Sequence, residues 1–257
     1  MYKKIVTISL IFLFTLCSFS SNKKQNLNIV FIGDSITYGA NLSHPETEAP
    51  PVKTCVYLRK QHGIGKVQFS NQGVCGFTTV DFLPSTGTKF QDVEKAADTF
   101  YEDKDATLIF SIMLGTNDSA EKGTNGCPVS PQNYLLNLTA IIDKLLHDYP
   151  GCKVIINHPV WYSPNTYNGA EYLQEGLTRL QSYFPEIDTL VKPYAVSNPD
   201  NVFAGDTNAF RYFKKNYLAC FGPESGQRGT FYLHPNEKGA DWLGYFWAKA
   251  LSKITGY

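Results

Sequence analysis

Short apolar runs alternate with amphipathic segments along most of the chain. The runs have the length and the apolar content of buried strands, and they lie at residues 27–32, 67–70, 106–113, 153–157 and 202–204. The segments between and after them carry apolar residues at helical spacing, and they lie at residues 52–61, 89–101, 132–148, 170–183, 186–194 and 236–252. Strands that alternate with helices form parallel sheets with helices on both faces. The pattern therefore predicts one three-layer α/β/α sandwich around a parallel sheet of about five strands.

The first twenty residues have the pattern of an export signal. Lys3 and Lys4 precede an apolar run at residues 5–16, and small residues follow at Ser18 and Ser20. The run is too short for an ordinary transmembrane helix, so we expect no stable membrane insertion once it is removed. We favour soluble export, to the periplasm or the exterior, over a lipid anchor on Cys17, because Leu16 is bulkier than the residue that usually precedes a lipidated cysteine.

Composition narrows the classes of partner. The 257 residues are 43% hydrophobic and 14% aromatic, which is enough for one sizeable domain with a substantial core, and the formal net charge is zero. No basic patch stands out, so we expect no nucleic-acid partner. Neither GxGxxG after the first strand nor GxxxxGK[ST] occurs, which argues against a nucleotide site.

Five cysteines follow the predicted signal: Cys55, Cys75, Cys127, Cys152 and Cys220. An odd number cannot all pair within one chain. Cys127 and Cys220 lie in loops rich in Gly and Pro, so a bridge between them is one candidate, whereas Cys152 opens a predicted strand and is expected to be an inert thiol. No Cys/His cluster has the spacing of metal ligands, and we expect neither a metal nor a cofactor.

Polar segments follow the first three predicted strands and converge on one edge of the sheet. They are Gly33-Asp34-Ser35, residues 71–79 and residues 115–118, and the carboxyl ends of parallel strands share an edge where α/β folds bind ligands. His234 precedes the last helix. A serine hydroxyl needs an adjacent base such as histidine, and backbone N–H groups or an amide can stabilise the oxyanion that forms. Each residue also has a plainer reading as a helix cap, a turn residue or a helix-entry residue.

The four segments in this order, Gly-Asp-Ser-Ile, Asn-x-Gly-x-x-Gly-x-Thr, Gly-Thr-Asn-Asp and His-Pro-Asn, resemble those of the GDSL/SGNH hydrolase family. The resemblance spans nearly all of residues 21–257 and implies that they form one hydrolase domain with the flavodoxin-like fold of that family. It also implies that the enzyme is a carboxylic ester hydrolase. It implies Ser35 as the nucleophile and His234 as the general base. It also implies Gly76 and Asn117 as oxyanion donors beside the N–H of Ser35, and a Cβ at position 76 would obstruct the approach of substrate.

One position departs from the family pattern. Family members usually carry an aspartate three residues before the histidine to orient its ring, and here Phe231 occupies that position. A backbone carbonyl from residues 229–233 can replace it, and so can a remote carboxylate such as Glu224 or Asp206. We favour the carbonyl, which would leave a Ser–His dyad.

The sequence says less about the substrate than about the catalytic residues. Trp161, Tyr162, Tyr167 and Tyr172 follow the fourth strand, where they can stack on sugar rings, wall an acyl groove or simply pack the loop. The loops expected around the site are polar, at Asn41, Ser43, Asn165, Asn168 and Gln174, with no apolar lip. We therefore expect an ester with a short acyl group, by analogy an O-acetyl group on a carbohydrate or a sialic acid. The alternatives are a lysophospholipase or thioesterase type of acylhydrolase, and a non-catalytic carbohydrate-binding relative.

Overall fold

The computed structural model describes residues 24–86 and 88–256. The strands are β1 Gln25–Gly33, β2 Ile64–Gly73, β3 Ala106–Met113, β4 Lys153–Ile156, β5 Val202–Ala204, β6 Glu224–Gly226 and β7 Gly229–Phe231. The helices are α1 Ser35–Tyr38, α2 Pro45–Glu48, α3 Pro50–Arg59, α4 Phe90–Tyr101, α5 Pro131–Asp148, α6 Leu173–Ser197, α7 Ala209–Lys215, α8 Tyr217–Cys220 and α9 Glu237–Thr255. The predicted signal at residues 1–20 lies outside the described residues and stays a prediction.

The first five strands form one parallel sheet in the order β2-β1-β3-β4-β5. Strand β1 is buried along residues 27–33, as expected for a strand covered on both faces. Its last residue, Gly33, pairs with Gly73 of β2 and with Met113 of β3. The three strands therefore end at the same level, and the loops that follow them begin side by side. The predicted α/β fold is confirmed.

Helices flank this sheet in packed pairs. Helix α3 packs against α9, and Trp247 of α9 stacks on Phe31 of β1 with ring centroids 5.8 Å apart. Helix α5 packs against α6, where the rings of Tyr134 and Tyr183 stack at 4.1 Å. The buried aromatic side chains that join these layers account for much of the core expected from the composition.

Two predicted element boundaries were wrong. The helices expected at residues 170–183 and 186–194 are one helix, α6, which contains Pro185 and Pro193. Its buried face continues past Pro185 with Ile187 and Leu190, and this packing outweighs the backbone hydrogen bonds that the prolines remove. Strand β2 is longer than the predicted 67–70, because an edge strand tolerates half-exposed polar residues that the apolar pattern excluded.

The cysteines do not pair. All five of the described cysteines are free thiols, so the candidate bridge between Cys127 and Cys220 is not formed. Cys220 is buried beneath Gly239 at the start of α9, and Cys127 Sγ instead accepts the N–H of Thr124 at 3.4 Å. Burial raises the pKa of Cys152 to about 12, in keeping with an inert thiol.

Among residues 24–86 and 88–256, every helix is too short or too polar to span a lipid bilayer.

Candidate active site

The sharp turn after β1 presents Ser35. Asp34 caps helix α1, because its Oδ1 accepts the N–H of Ile36 at 2.9 Å, so the cap is Asp34 rather than Ser35 or Thr37. A Cβ on Gly33 would collide with the side chain of Thr37 and the carbonyl of Met113, so glycine alone fits there. The strand therefore passes directly into a four-residue helix whose first residue, Ser35, lies at the carboxyl edge of the sheet.

His234 lies against the serine. The Nε2 atom of its ring is 2.9 Å from Ser35 Oγ, although the two residues are 199 positions apart in sequence. The backbone around the histidine is held by residues 220–222: the N–H of Gly222 donates to the carbonyl of His234, and Phe221 bridges to Pro235. Just beyond it, Asn236 caps helix α9 by accepting the N–H of Gly239 at 2.9 Å.

Glu224 supplies the carboxylate that the sequence pattern lacks. Its Oε2 and Oε1 atoms lie 3.0 Å and 3.1 Å from His234 Nδ1, and Oε1 also accepts the backbone N–H of His234 at 3.0 Å. Strands β6 and β7 form an antiparallel hairpin in which Glu224 pairs with Phe231, the position where the aspartate is usual. Phe231 is buried in the core. The acid therefore comes from the neighbouring strand, and the predicted carbonyl-held dyad is wrong.

The other candidate acid lies elsewhere. Asp206 holds the turn into helix α7, where its Oδ2 accepts the N–H of Ala209 at 2.8 Å and its Oδ1 accepts that of Asn208 at 3.1 Å. It is 5% exposed and belongs to the turn after β5. Asp206 thus has a structural role that leaves it no part in orienting His234.

Hydrogen bonds keep Glu224 ionised. Burial raises the pKa of its carboxyl group, but three other effects outweigh burial and lower the pKa overall. They are the hydrogen bonds from His234, the charge that the His234 ring carries when protonated, and a hydrogen bond from Asn41. A carboxylate only accepts hydrogen bonds, so the proton of the neutral imidazole is on Nδ1. Nε2 is then the acceptor that faces the Ser35 hydroxyl, which is the tautomer that a general base requires.

Gly76 follows β2 in the left-handed region, with φ of +80°. A Cβ built on it meets nothing within 4 Å, so the described protein leaves room for a side chain. The backbone conformation rather than crowding by the protein selects glycine here, because L-residues with a side chain rarely adopt this φ. The residue lines the same pocket as Ser35 and His234.

Asn117 follows β3 and is held at both atoms of its amide. Its Nδ2 donates to the carbonyl of Phe77 at 2.9 Å, and its Oδ1 accepts the hydroxyl of Tyr172 at 2.6 Å. The contact with Phe77 joins the loop after β3 to the loop after β2, directly beside Gly76. The side chain is 3% exposed, and an NH₂ group has two N–H donors, of which Phe77 takes one.

Asp118 braces the same two loops from below. Its carboxylate accepts the backbone N–H of Thr79 at 3.0 Å and is also bonded to the Thr79 hydroxyl, which in turn accepts Asn137 Nδ2 at 2.9 Å. Burial raises the pKa of Asp118 to about 7, and burial likewise raises that of Asp34 to about 6. Asp118 is fully buried and does not line the pocket, so it positions loops and does not meet substrate.

The four residues predicted for catalysis line one pocket of about 450 Å³. The rest of its lining comprises the polar residues Asn41, Thr124 and Asn168, the small residues Ala40, Cys75, Gly123, Gly169 and Ala170, and the larger residues Tyr172 and Leu233. His234 is the one ionisable basic group among these described residues, and no Lys, Arg, Asp or Glu joins them. The pocket therefore suits an uncharged group of modest size.

Most of the aromatic residues that were candidates to stack on sugar rings or to wall an acyl groove are packed inside the protein. Tyr162 is fully buried, and Trp161 packs against Tyr217 and Phe221. Tyr172 lines the pocket, but it is only 4% exposed and its hydroxyl is used by Asn117. Loop packing, the plainer of the alternatives, accounts for these side chains.

A family model described as the GDSL-like Lipase/Acylhydrolase family matches residues 31–242, which is most of the chain. The chain belongs to the GDSL-like lipase/acylhydrolase family. It is accordingly a carboxylic ester hydrolase, as the resemblance implied. A comparison with curated proteins finds no match.

Solved structures share the fold of this GDSL-family hydrolase at low sequence identity. Est24, a carbohydrate acetylesterase from Sinorhizobium meliloti, superimposes with a TM-score of 0.58 at 16% identity, covering 89% of this chain and 99% of that one. A catalytic mutant of Axe2, an acetylxylan esterase from Geobacillus stearothermophilus, gives 0.58 at 16% identity, covering 91% and 96%. The aryl esterase of M. smegmatis gives 0.58 at 15% identity, covering 89% and 99%.

Ser35, His234 and Glu224 have the relative geometry of a serine-hydrolase triad. Among residues 24–86 and 88–256, no three His, Cys, Asp or Glu side chains are grouped so as to hold a metal ion. The arrangement Ser35–His234–Glu224 can move a proton from the serine hydroxyl to the imidazole, while the carboxylate stabilises the imidazolium. From the sequence, Glu224 was one candidate acid but a backbone carbonyl was preferred, because the pairing of Glu224 with Phe231 is visible only in the structure.

Proposed function

We propose that this hydrolase removes short acyl groups, above all acetyl, from hydroxyl groups of neutral carbohydrates. The observation that carries the proposal is the lining of the pocket beside the Ser35–His234–Glu224 triad. That lining consists mainly of small residues with a few polar side chains, and it holds no basic side chain other than His234. The low-identity structural relatives described as carbohydrate acetylesterases support the same reading.

The reaction proceeds through an acyl-enzyme on Ser35. His234 Nε2 takes the hydroxyl proton as Ser35 Oγ attacks the ester carbonyl, and it then gives that proton to the departing sugar hydroxyl. The negative charge of the tetrahedral intermediate is met by the Asn117 amide and the N–H groups of Ser35 and Gly76. Water, activated by the same histidine, releases the acid. Each oxyanion donor is worth about 2.7–4 kcal/mol of barrier in comparable sites.

The lining distinguishes between classes of substrate. A sialic acid carries a carboxylate, and recognition of a carboxylate ordinarily uses Arg or Lys, which the described lining lacks. A long acyl chain needs a continuous apolar wall, whereas Asn41, Thr124 and Asn168 interrupt the wall here. Neutral sugar esters with short acyl groups satisfy both constraints.

The non-catalytic alternative has lost its basis. It rested on Phe231 in place of an aspartate, and Glu224 now fills that position in space with two oxygens near His234 Nδ1. The family assignment points in the same direction. The second acylhydrolase type, a lysophospholipase or thioesterase, remains as an outcome of the experiment below.

The test is a chain-length series of p-nitrophenyl esters from acetate to palmitate. An apolar acyl groove would gain about 0.8 kcal/mol per CH₂, or roughly fourfold in kcat/KM for each added CH₂. We expect the reverse, with kcat/KM highest for acetate and falling beyond butyrate. The S35A variant is the control and should be inactive on every ester.

A panel of acetylated sugars then identifies the alcohol. We expect release of acetate from neutral acetylated saccharides and much slower release from O-acetylated sialic acid. A steady rise in kcat/KM from acetate to octanoate would replace the proposal with a lysophospholipase or thioesterase activity.

A further inference from the structure

The orientation of the Asn117 amide is set by two other groups. A carbonyl oxygen can only accept a hydrogen bond, so the atom of Asn117 that lies 2.9 Å from the Phe77 carbonyl must be the nitrogen. The oxygen of the amide then faces Tyr172, whose hydroxyl lies 2.6 Å away and must be the donor. The two contacts agree, and together they leave a second N–H on Nδ2 for a ligand in the pocket.

Tyr172 is firmly placed to act as this donor. It immediately precedes α6, and its carbonyl accepts the N–H of Gly176 at 2.8 Å. The preceding residue, Glu171, accepts the N–H of Glu121 at 2.6 Å and donates its own N–H to the carbonyl of Lys122 at 2.9 Å. The loop that carries Tyr172 is thus paired with the loop that carries Asn117.

The environment of the phenol keeps it protonated. The side chain is 4% exposed, and its ring packs edge-on against Tyr162 with centroids 5.4 Å apart. Burial, followed by the nearby charge of Asp34, raises the pKa of Tyr172 well above its ordinary value. The hydroxyl is therefore a neutral donor at neutral pH.

We propose that Tyr172 is a positioning residue, whose hydroxyl holds the Asn117 amide with its nitrogen toward the oxyanion. The inference rests on the proposed ester hydrolysis and deepens it. Without the hydroxyl, Asn117 Oδ1 becomes a buried acceptor without its partner, and the amide gains freedom to rotate. Because the oxyanion forms only on the way to the intermediate, loosening this donor slows the chemical step more than it weakens substrate binding.

The experiment is a double-mutant cycle on p-nitrophenyl acetate with Y172F, N117A and the pair. We expect N117A to lower kcat by about 10²- to 10³-fold, the effect of removing one oxyanion donor, and Y172F to lower it by about tenfold. KM should change little in either variant. Adding Y172F to N117A should cause almost no further loss, because the hydroxyl acts through the amide that is already gone.

Y162F is the matched control. Tyr162 is also buried, its ring packs against that of Tyr172, and its hydroxyl is hydrogen-bonded to Ser119 Oγ at 2.9 Å rather than to Asn117. Its loss should cost stability comparable to that of Y172F and leave kcat within about twofold of the wild type.

The outcomes separate the positioning role of Tyr172 from the proposed ester hydrolysis. If Y172F lowers kcat equally in the wild-type and N117A backgrounds, or if Y162F lowers kcat as much as Y172F does, the tyrosine is merely structural and the positioning role is overturned. If N117A is impaired while Y172F is fully active, only the role of Tyr172 fails. If wild type hydrolyses no ester, the proposed function fails and takes this inference with it.

Discussion

Two regions of the molecule build the site by different means. The loops after β1, β2 and β3 carry Ser35, Gly76 and Asn117, and they come together because the three strands run parallel and end at the same level. The base and its acid lie outside this sheet, on and just after the β6–β7 hairpin. The first region depends on the order of strands in a sheet, and the second depends on how a small hairpin docks.

The hairpin docks onto the loop after β4. Asn165 Nδ2 donates to the carbonyl of Thr230 at 2.7 Å and to that of Arg228 at 3.2 Å. The N–H of Ser163 donates to the carbonyl of Tyr232 at 2.9 Å, and the N–H of Tyr232 returns a bond to Ser163 Oγ at 2.8 Å. These contacts place the turn that leads to His234, so the polar residue Asn165 serves the hairpin rather than the lip of the pocket.

The carboxylates of the two regions also differ, both in burial and in the direction of their pKa shifts. Asp34 and Asp118 are fully buried beneath the strand-end loops, and burial raises the pKa of both. Glu224 is only partly buried, and its hydrogen bonds to His234 lower its pKa. The first two acids cap and brace backbone, whereas the third remains ionised next to a ring that becomes charged. Burial alone therefore does not mark the acid that takes part in the reaction.

The largest effect that tests this comparison is expected for E224Q. The glutamine keeps the shape of the side chain but can donate to His234 Nδ1, which favours the tautomer with the proton on Nε2. We expect kcat on p-nitrophenyl acetate to fall by about 10³- to 10⁴-fold, as it does when the equivalent acid is replaced in other serine hydrolases. The measurement is steady-state kinetics on a variant shown by circular dichroism to be folded.

D206N is the matched control for that loss. It makes the same chemical change in the other candidate acid, and its amide oxygen can still accept the N–H of Ala209. We expect kcat within about twofold of the wild type. A small loss in E224Q, or an equal loss in both variants, would restore the dyad and remove the distinction between the two regions.

The parallel-sheet part of this site could be predicted from the sequence, and the hairpin part could not. Apolar runs locate β1 and β3, and the polar residues that follow parallel strands must meet at one edge, where Ser35, Gly76 and Asn117 line one pocket. His234 was expected there from the family resemblance and not from the hydrophobic pattern. The partner of His234 depends instead on the pairing of Glu224 with Phe231 across strands of three residues each. Strands so short carry too few alternating positions to be recognised.

Tertiary packing also decided details that local patterns cannot. The aromatic residues after β4 are the same kinds of side chain whether they face a ligand or the core, and only the structure shows Tyr162 to be buried. The two prolines of α6 read as helix breaks, yet the helix continues because its apolar face is buried on both sides of Pro185. The local pattern correctly predicted helix on both sides of Pro185, but it could not show that the helix is continuous or that Tyr162 faces the core.

A smaller effect is expected from D118N, through the pH dependence of stability. The raised pKa means that folded Asp118 binds its proton more tightly than the unfolded chain does, so this group's stabilising contribution is present at low pH and lost as the pH rises from about 4 to about 7. The amide that replaces the carboxyl group in D118N does not titrate. The difference in melting temperature between wild type and D118N should therefore shrink across that range, as followed by calorimetry at several pH values.

The same variant sharpens the contrast with Glu224. Because Asp118 braces Thr79 and does not line the pocket, kcat should change far less in D118N than in E224Q. A melting-temperature difference that grows as the pH rises would mean that the bonds from Thr79 stabilise the anion more than burial opposes it.

The central claim is that the segments after β1, β2 and β3 and the β6–β7 hairpin meet to make Ser35 a nucleophile. The most direct test uses a phosphonate ester, which forms a stable adduct with activated serines. We predict one adduct per chain, located by mass spectrometry on the tryptic peptide of residues 25–53 at Ser35, with loss of activity in parallel. H234A and E224Q should label far more slowly, and S35A should not label. An adduct on another residue, or full esterase activity in S35A, would contradict the account.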